Sequence, residues 1–286
     1  MAKPLPTTPA FCFITPTPYL ELFASPDIAG SNRHLVLAHL VDRDPEYAAY
    51  YAGRNQLGEY VMMDNSAYEL HEPYSPDKLL ELARKCVADA IVLPDYPFQP
   101  ASKTIEAAEK FAPVFKAEGY HTFFVPQSQQ GALGDWIYAY EYAANNPDID
   151  IIGMSILGVP NALPNIAPAY ARVVMTSLLQ SKGIFSSKYH HYLGLNAGPG
   201  LEIPSLLRMN ALHSIDSSGP VWAGIFGHAY STEYDSLQAA KKLKSVVDFN
   251  LPLTKDAATI KRIRNNIDLT LELFEDQRVE SWYAKE

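Results

Sequence analysis

Short apolar stretches alternate with longer helical patterns along most of this chain, and this alternation constrains the fold more than any other feature. Each strand and helix pair takes about 30 residues, which predicts a parallel sheet with helices on its faces. About six to eight such pairs favour an α/β fold of the (β/α)8 TIM-barrel type. A doubly wound open sheet is the alternative. It would need a glycine-rich phosphate turn after the first strand, where Thr15-Pro16-Thr17-Pro18 stands instead.

The chain is expected to form one domain over residues 1–286, with an irregular lead-in at 1–9 and an added C-terminal helix at 257–278. The start of the chain carries no apolar signal segment, and there is no run of about 18 apolar residues that would span a membrane. Two cysteines, Cys12 and Cys86, fit a reducing compartment. We therefore expect a cytoplasmic protein, or one of the host cytoplasm if its source is viral.

Three predicted strands deliver an aspartate to the position where the strand ends: Asp64, Asp95 and Asp216. In a barrel, residues that follow the strands converge on one face, where active sites form. The other residues at such positions are Asn65, Tyr68, Gln127, Gly153, Met154, Ser155, Gly194 and Asn196. This set is rich in carboxylates and amides, so the sequence predicts one site built mainly from acids.

Metal binding is the less favoured interpretation of the strand ends. His190 and His191 are adjacent, so in a strand they point to opposite faces and cannot share one ion. The histidines left as candidates are His121, His213 and His228. Two cysteines cannot build a four-cysteine zinc site, and no cofactor is expected.

Paired carboxylates suit chemistry at an anomeric carbon, where one acts as nucleophile and another transfers protons. An aspartate next to a glutamine also suits the edge of a purine-like base, and Tyr68 is placed to stack on a planar ring. Each of these residue types also has a purely structural interpretation. An aspartate after a strand often caps the next helix, Tyr68 can be a packing residue, and Gly153 and Gly158 can simply form a turn.

Taken in order, six short segments resemble the motifs of the tRNA-guanine transglycosylase superfamily, whose members are (β/α)8 enzymes that exchange a guanine in nucleic acid for a 7-deazaguanine. The segments are Met63-Asp64-Asn65-Ser66-Ala67-Tyr68-Glu69, Leu93-Pro94-Asp95, Phe124-Val125-Pro126-Gln127-Ser128, Gly153-Met154-Ser155-Ile156-Leu157-Gly158, Tyr192-Leu193-Gly194 and Ile215-Asp216-Ser217-Ser218. Together they cover residues from about 60 to 220 in the family's order.

The resemblance implies a role for each matching residue. Asp216 is the nucleophile that attacks C1′ of the target nucleotide, and Asp64 moves protons to and from the bases. Asp95 and Gln127 read the base edge, and Tyr68 stacks on it. Backbone groups of Gly153, Met154, Leu193 and Gly194 complete the base pocket.

Departures from the family point to a particular substrate. The family's zinc site after the nucleophile cannot form here, and Ser66-Ala67 and Glu69 replace its Gly-Gly and Gln. The chain therefore resembles the compact, zinc-free bacteriophage branch that inserts 7-deazaguanines, such as a preQ0-like base, into DNA. DNA is favoured over tRNA as the polymer.

The net charge of −9 offers few phosphate contacts, so an accessory protein or a homodimer is expected to help hold the nucleic acid. The Lys241-Lys242-Leu243-Lys244 run and the basic cluster at 261–264 are candidate contacts, although such groups usually form a solvated helix face. A carboxylate-dependent glycoside or nucleoside hydrolase and a non-catalytic base-binding subunit remain as alternative functions.

Overall fold

The computed structural model describes residues 2–30, 32–195, 199–230 and 248–275. Its eight strands are β1 Ala10–Phe13, β2 Arg33–Leu37, β3 Tyr60–Asp64, β4 Ala90–Val92, β5 His121–Phe124, β6 Ile151–Gly153, β7 Tyr189–Tyr192 and β8 Ser214–Ser217. All pair in parallel, in the order β1-β8-β7-β6-β5-β4-β3-β2. The two end strands β1 and β2 lie close together, so the sheet forms a nearly closed barrel. The predicted (β/α)8 fold is confirmed.

Helices lie between the strands along the chain and after the last strand. They are a 3-10 turn at Thr17–Tyr19, then α1 Leu20–Phe23, α2 Pro26–Ala29, α3 Ala38–Arg43, α4 Pro45–Gln56, α5 Ala67–Leu70, α6 Pro76–Cys86, α7 Ala101–Ala117, α8 Leu133–Asn145, α9 Gly158–Ala162, α10 Pro168–Ser181, α11 Pro199–Arg208, α12 Gly219–Ile225 and α13 Ala257–Glu275. None of these described helices has the length and apolar character needed to cross a membrane.

Local sequence signals account for several of these boundaries. Asp44 caps α4, because its carboxylate accepts hydrogen bonds from the backbone N–H groups of Glu46 and Tyr47 at 3.0 and 3.2 Å, and Pro45 occupies the first helical position. Ser75 caps α6 in the same way, with its hydroxyl 3.4 Å from the N–H of Lys78. The sequence predicts both beginnings, one with Pro45 in the first helical position and one at Ser75-Pro76-Asp77, and both are confirmed.

One strand is shorter than its apolar run suggests. Residues 33–40 are apolar enough to predict a single strand, but β2 ends at Leu37 and α3 begins at Ala38. The backbone N–H of His39 donates to the Ser66 hydroxyl at 3.1 Å, so the chain turns here toward the end of β3. A short buried helix has an apolar pattern that cannot be told from a strand by periodicity alone.

The added C-terminal helix is present as α13 and packs on α12 and α11. Ile263 and Ile267 on α13 are fully buried against the barrel core. The sequence also predicts a loop over the barrel mouth from Gly224 to Tyr234. Residues 224 and 225 belong to α12 instead, and residues 231–234 lie outside the described part of the chain.

Candidate active site

Asp216 lies in β8, and neighbouring strand β7 holds its carboxylate in place. The Oδ1 atom accepts a hydrogen bond from the backbone N–H of Gly194 at 2.9 Å and lies 3.0 Å from Nε2 of His191. Asp216 is buried, and the cap of the next helix, α12, is Ser218. Asp216 is therefore not a helix cap. It is a carboxylate whose position is fixed by two hydrogen bonds.

His191 is a site residue that the sequence analysis considered only as a metal ligand. Its Nδ1 lies 2.6 Å from the Ser214 hydroxyl, and its ring meets Phe123 edge-on at 5.5 Å between centroids. With the Ser214 hydroxyl donating to Nδ1, the Nε2–H group of His191 donates to Asp216. The adjacent His190 points outward to the Tyr140 hydroxyl at 2.8 Å. The alternation of side chains along a strand could have identified His191 as the inward-facing partner of Asp216.

Asp64 is the last residue of β3, and other acidic side chains lie around it. Burial raises the pKa of its carboxyl well above the usual value, and the nearby charges of Glu69, Asp95 and Asp216 raise it further. Its Oδ2 atom accepts a hydrogen bond from the N–H of Ser66 at 3.2 Å. The charges of Asp95 and Asp216 therefore act on the Asp64 carboxyl, as expected if the strand-end acids share one face of the barrel.

Glu69 is a second acid that the sequence analysis left without a role. It lies in the short helix α5, at the exposed mouth of the barrel. Partial burial among the surrounding protein atoms raises the pKa of its carboxyl, and the charge of Asp216 adds to this effect. Its place five residues after Asp64 was visible in the sequence, but the effect of the Asp216 charge on its pKa was not.

Asp95, Asn65 and Gln127 form a buried hydrogen-bonded group. The side-chain amides of Asn65 and Gln127 donate to the two oxygens of Asp95 at 2.7 and 2.6 Å. Burial raises the pKa of Asp95 to about 6, although both donated bonds lower it. The helix that follows, α7, has Pro100 at its cap position, so Asp95 does not cap it.

Gln127 keeps one buried polar atom without a described partner. Its Oε1 atom has no hydrogen-bond donor among the described residues. The donated bond to Asp95 fixes which end of the amide carries the nitrogen. A Cβ placed on Gly158 would come within 3.1 Å of this Oε1. Gly158 therefore keeps space beside an acceptor that can take a hydrogen bond from a ligand N–H group.

The remaining predicted pocket residues form the wall between β6 and β7. A Cβ on Gly153 would lie 2.8 Å from side-chain atoms of Phe123 and Val125, so a larger residue does not fit there. The N–H of Met154 donates to the carbonyl of His191 at 2.8 Å, and the carbonyl of Leu193 accepts from the N–H of Ile156 at 3.0 Å. The backbone of Met154 and Leu193 thus already makes internal hydrogen bonds.

Tyr68 and Phe98 are exposed aromatic residues that follow β3 and β4. Tyr68 is 66 % exposed, so its ring does not serve to pack the core. Phe98 is 49 % exposed and has a φ of +65°, a conformation that bulky residues rarely adopt. Tyr68 lies three residues after Asn65, and Phe98 lies three residues after Asp95, to which Asn65 donates a hydrogen bond. Both exposed rings thus follow the buried group closely along the chain, at the rim of the site.

The predicted basic cluster at 261–264 lies in the C-terminal helix α13. Arg262 donates to the carbonyl of Gly224 at 2.9 Å and so ties α13 to α12, whereas Arg264 pairs with Asp268 of the same helix at 3.0 Å. The Lys241 to Lys244 run and Asn196 lie outside the described residues. Within the described ranges, no three His, Cys, Asp or Glu side chains are arranged to hold a metal ion.

Comparison with known proteins adds no assignment to this geometry. No protein-family model and no curated protein sequence matches the chain. The site offers a carboxyl held by two hydrogen bonds, a second carboxyl with a raised pKa, and a buried group of two amides and one carboxyl.

Proposed function

We propose that this protein is a base-exchange glycosyltransferase that replaces guanine in nucleic acid by a 7-deazaguanine. The observation that carries the proposal is the difference between the environments of the Asp216 and Asp64 carboxyls. Two hydrogen bonds end on Oδ1 of Asp216, and no described residue donates to its Oδ2. Burial and the neighbouring negative charges raise the pKa of Asp64, which favours the protonated form of its carboxyl. Carboxyls whose environments separate them in this way act as nucleophile and acid.

The reaction then proceeds in two displacements at C1′ of the target nucleotide. Oδ2 of Asp216 forms a bond to C1′ as the bond from C1′ to guanine N9 breaks, and the Asp64 carboxyl protonates the leaving guanine. The incoming 7-deazaguanine gives its N9 proton to the Asp64 carboxylate and attacks C1′, which releases Asp216. Protons and electrons balance, and both carboxyls return to their starting states.

The Asp95 group supports recognition of the base. A carboxylate in this position accepts hydrogen bonds from a ring N–H and an exocyclic amine of a guanine-like base, and Oε1 of Gln127 offers a further buried acceptor. The exposed ring of Tyr68 at the rim supports stacking on the base or its neighbour. No cofactor is needed for the steps above.

DNA rather than tRNA is the proposed polymer. The target nucleotide must be unpaired or must leave the helix before Asp216 can reach C1′. A chain with a net charge of −9 makes few phosphate contacts by itself, so we propose that a second copy or an accessory protein helps to hold the strand, in the cytoplasm of the cell or of a viral host.

The test is incorporation of labelled guanine or preQ0 into single-stranded DNA, duplex DNA or tRNA. D216A is expected to lower exchange by on the order of 10⁴–10⁶-fold, because it removes the nucleophile. D89N is the matched control. Asp89 is equally buried, but it binds Lys3, Asn55 and Val61 at the opposite end of the barrel.

The outcomes separate the candidate functions. Exchange that needs Asp216, but not Asp89, supports the proposal, and the labelled polymer identifies the substrate. Unchanged exchange in D216A refutes the proposal. Release of free base without an incoming base identifies a hydrolase, and binding of preQ0 without any reaction on the three polymers identifies a base-binding subunit.

A further inference from the structure

Arg172 is a buried arginine that binds three backbone carbonyls of the site and one buried carboxylate. It extends from α10 and is fully buried. Its Nε and Nη2 atoms donate to the two carboxylate oxygens of Glu202 in α11, both at 2.7 Å. Its Nη1 donates to the carbonyls of Met154 at 3.0 Å and Leu193 at 2.9 Å, and Nη2 donates to that of Gly194 at 2.8 Å.

These bonds use all five N–H groups of the guanidinium. A buried arginine bound in a forked geometry has a single orientation, because a carboxylate and a set of carbonyls fix it from two sides. Glu202 is also fully buried, so the two charges neutralise each other away from water. The pair thus ties α10 and α11 to the ends of β6 and β7.

One peptide group links Arg172 to Asp216. The carbonyl of Leu193 accepts from Arg172, and the N–H of the same peptide group belongs to Gly194, which donates to Oδ1 of Asp216 at 2.9 Å. A cation at the carbonyl end polarises the peptide and strengthens its N–H as a donor. Gly194 has a φ of +74°, and a Cβ there would lie 2.7 Å from Cγ2 of Ile156. The peptide is therefore held in a conformation that favours glycine.

We infer that Arg172 and Glu202 are positioning residues for Asp216, and that they act through the peptide group joining Leu193 to Gly194. They fix the direction of the Gly194 N–H, which in turn fixes the carboxylate. The catalytic consequence of this inference rests on the proposed function, whereas the geometric consequence does not. The inference can therefore be tested at the amide itself as well as in the reaction.

The amide experiment uses protein labelled with carbonyl ¹³C-leucine and ¹⁵N-glycine, which selects the four Leu-Gly pairs ending at Gly58, Gly134, Gly158 and Gly194. In R172K, the Gly194 amide is expected to exchange with solvent deuterium at least about tenfold faster, because the guanidinium no longer holds the Leu193–Gly194 peptide group against Asp216. Gly58 and Gly134, which lie far along the chain from this peptide, should keep the wild-type exchange rates.

Two further variants keep the experiment decisive. R33K is the matched control, since Arg33 is also buried but bonds the His213 carbonyl and the Thr8 hydroxyl at the amino ends of the strands. It should leave the Gly194 amide unchanged. E202Q keeps the Arg172 side chain and should give a smaller change than R172K. If R172K does not fold, the exchange rate of the Gly194 amide in E202Q alone decides whether the pair positions this peptide group.

The reaction gives the second measurement. Misplacement of Asp216 in R172K should slow formation of the covalent adduct by about 100-fold, while affinity for free preQ0, bound through Asp95 and Gln127, stays within about twofold. An unchanged Gly194 amide in a folded R172K or E202Q protein overturns the inference. So does an equal loss of adduct formation and of preQ0 affinity. A wild-type protein without exchange refutes the proposed function, but the amide result still decides the positioning role.

Discussion

The pH dependence of stability at Asp95 gives a quantitative test of the buried amide-carboxylate group. Burial raises the pKa of Asp95 from 3.8 to about 6, so the folded protein binds more protons than the unfolded chain between these values. The contribution to stability is fully present below pH 3.8 and is lost as pH rises through 6. A difference of about 2 units between the folded and unfolded pKa, at about 1.36 kcal/mol per unit, amounts to about 3 kcal/mol of unfolding free energy. Asp95 is 5 % exposed, so solvent screening does little to reduce this figure.

The perturbation is D95N, which removes the titration and keeps the shape of the side chain. Urea unfolding of both proteins from about pH 4.5 to 7.5 should show wild type losing about 2 kcal/mol relative to D95N, the part of the total that falls in this window. Groups that titrate in both proteins cancel in the difference. Because the charge of Asp95 also raises the pKa of Asp64, the comparison is repeated in a D64N background. A difference in unfolding free energy that stays constant with pH would refute a raised pKa at Asp95.

Two other predictions concern the wall and the rim of the site. G194A should lower the free energy of unfolding by about 1–3 kcal/mol and abolish exchange, since a methyl group at a φ of +74° would clash with Ile156. The control is G53A, at a helical position with nothing within 4 Å of the added methyl group. It should leave the free energy of unfolding in urea unchanged or raise it. Y68A should leave stability within about 0.5 kcal/mol of wild type but weaken binding of single-stranded DNA about tenfold in fluorescence anisotropy. Y138A, which removes an equally exposed ring from the outer side of α8, should do neither, and equal weakening by both variants would contradict a stacking role for Tyr68.

The barrel and the positions of its acids could be predicted from the sequence because both depend on local pattern. Alternation of apolar strands with helical faces gives a parallel sheet, and parallel strands all end on the same edge. Asp64 and Asp216 at the ends of β3 and β8 therefore had to meet on one face. Capping residues such as Asp44 and Ser75 likewise act within a few residues of their own position.

The tertiary structure decided what each acid can do, because protonation and orientation depend on groups that are distant along the chain. The pKa of Asp64 follows from burial and from the charges of Glu69, Asp95 and Asp216, of which the last two are distant along the chain. The carboxylate of Asp216 is oriented by His191 and Gly194, 25 and 22 residues away. Arg172 gives no local signal of its role, since its partners Met154, Leu193 and Glu202 come together only when β6, β7 and α11 pack around it.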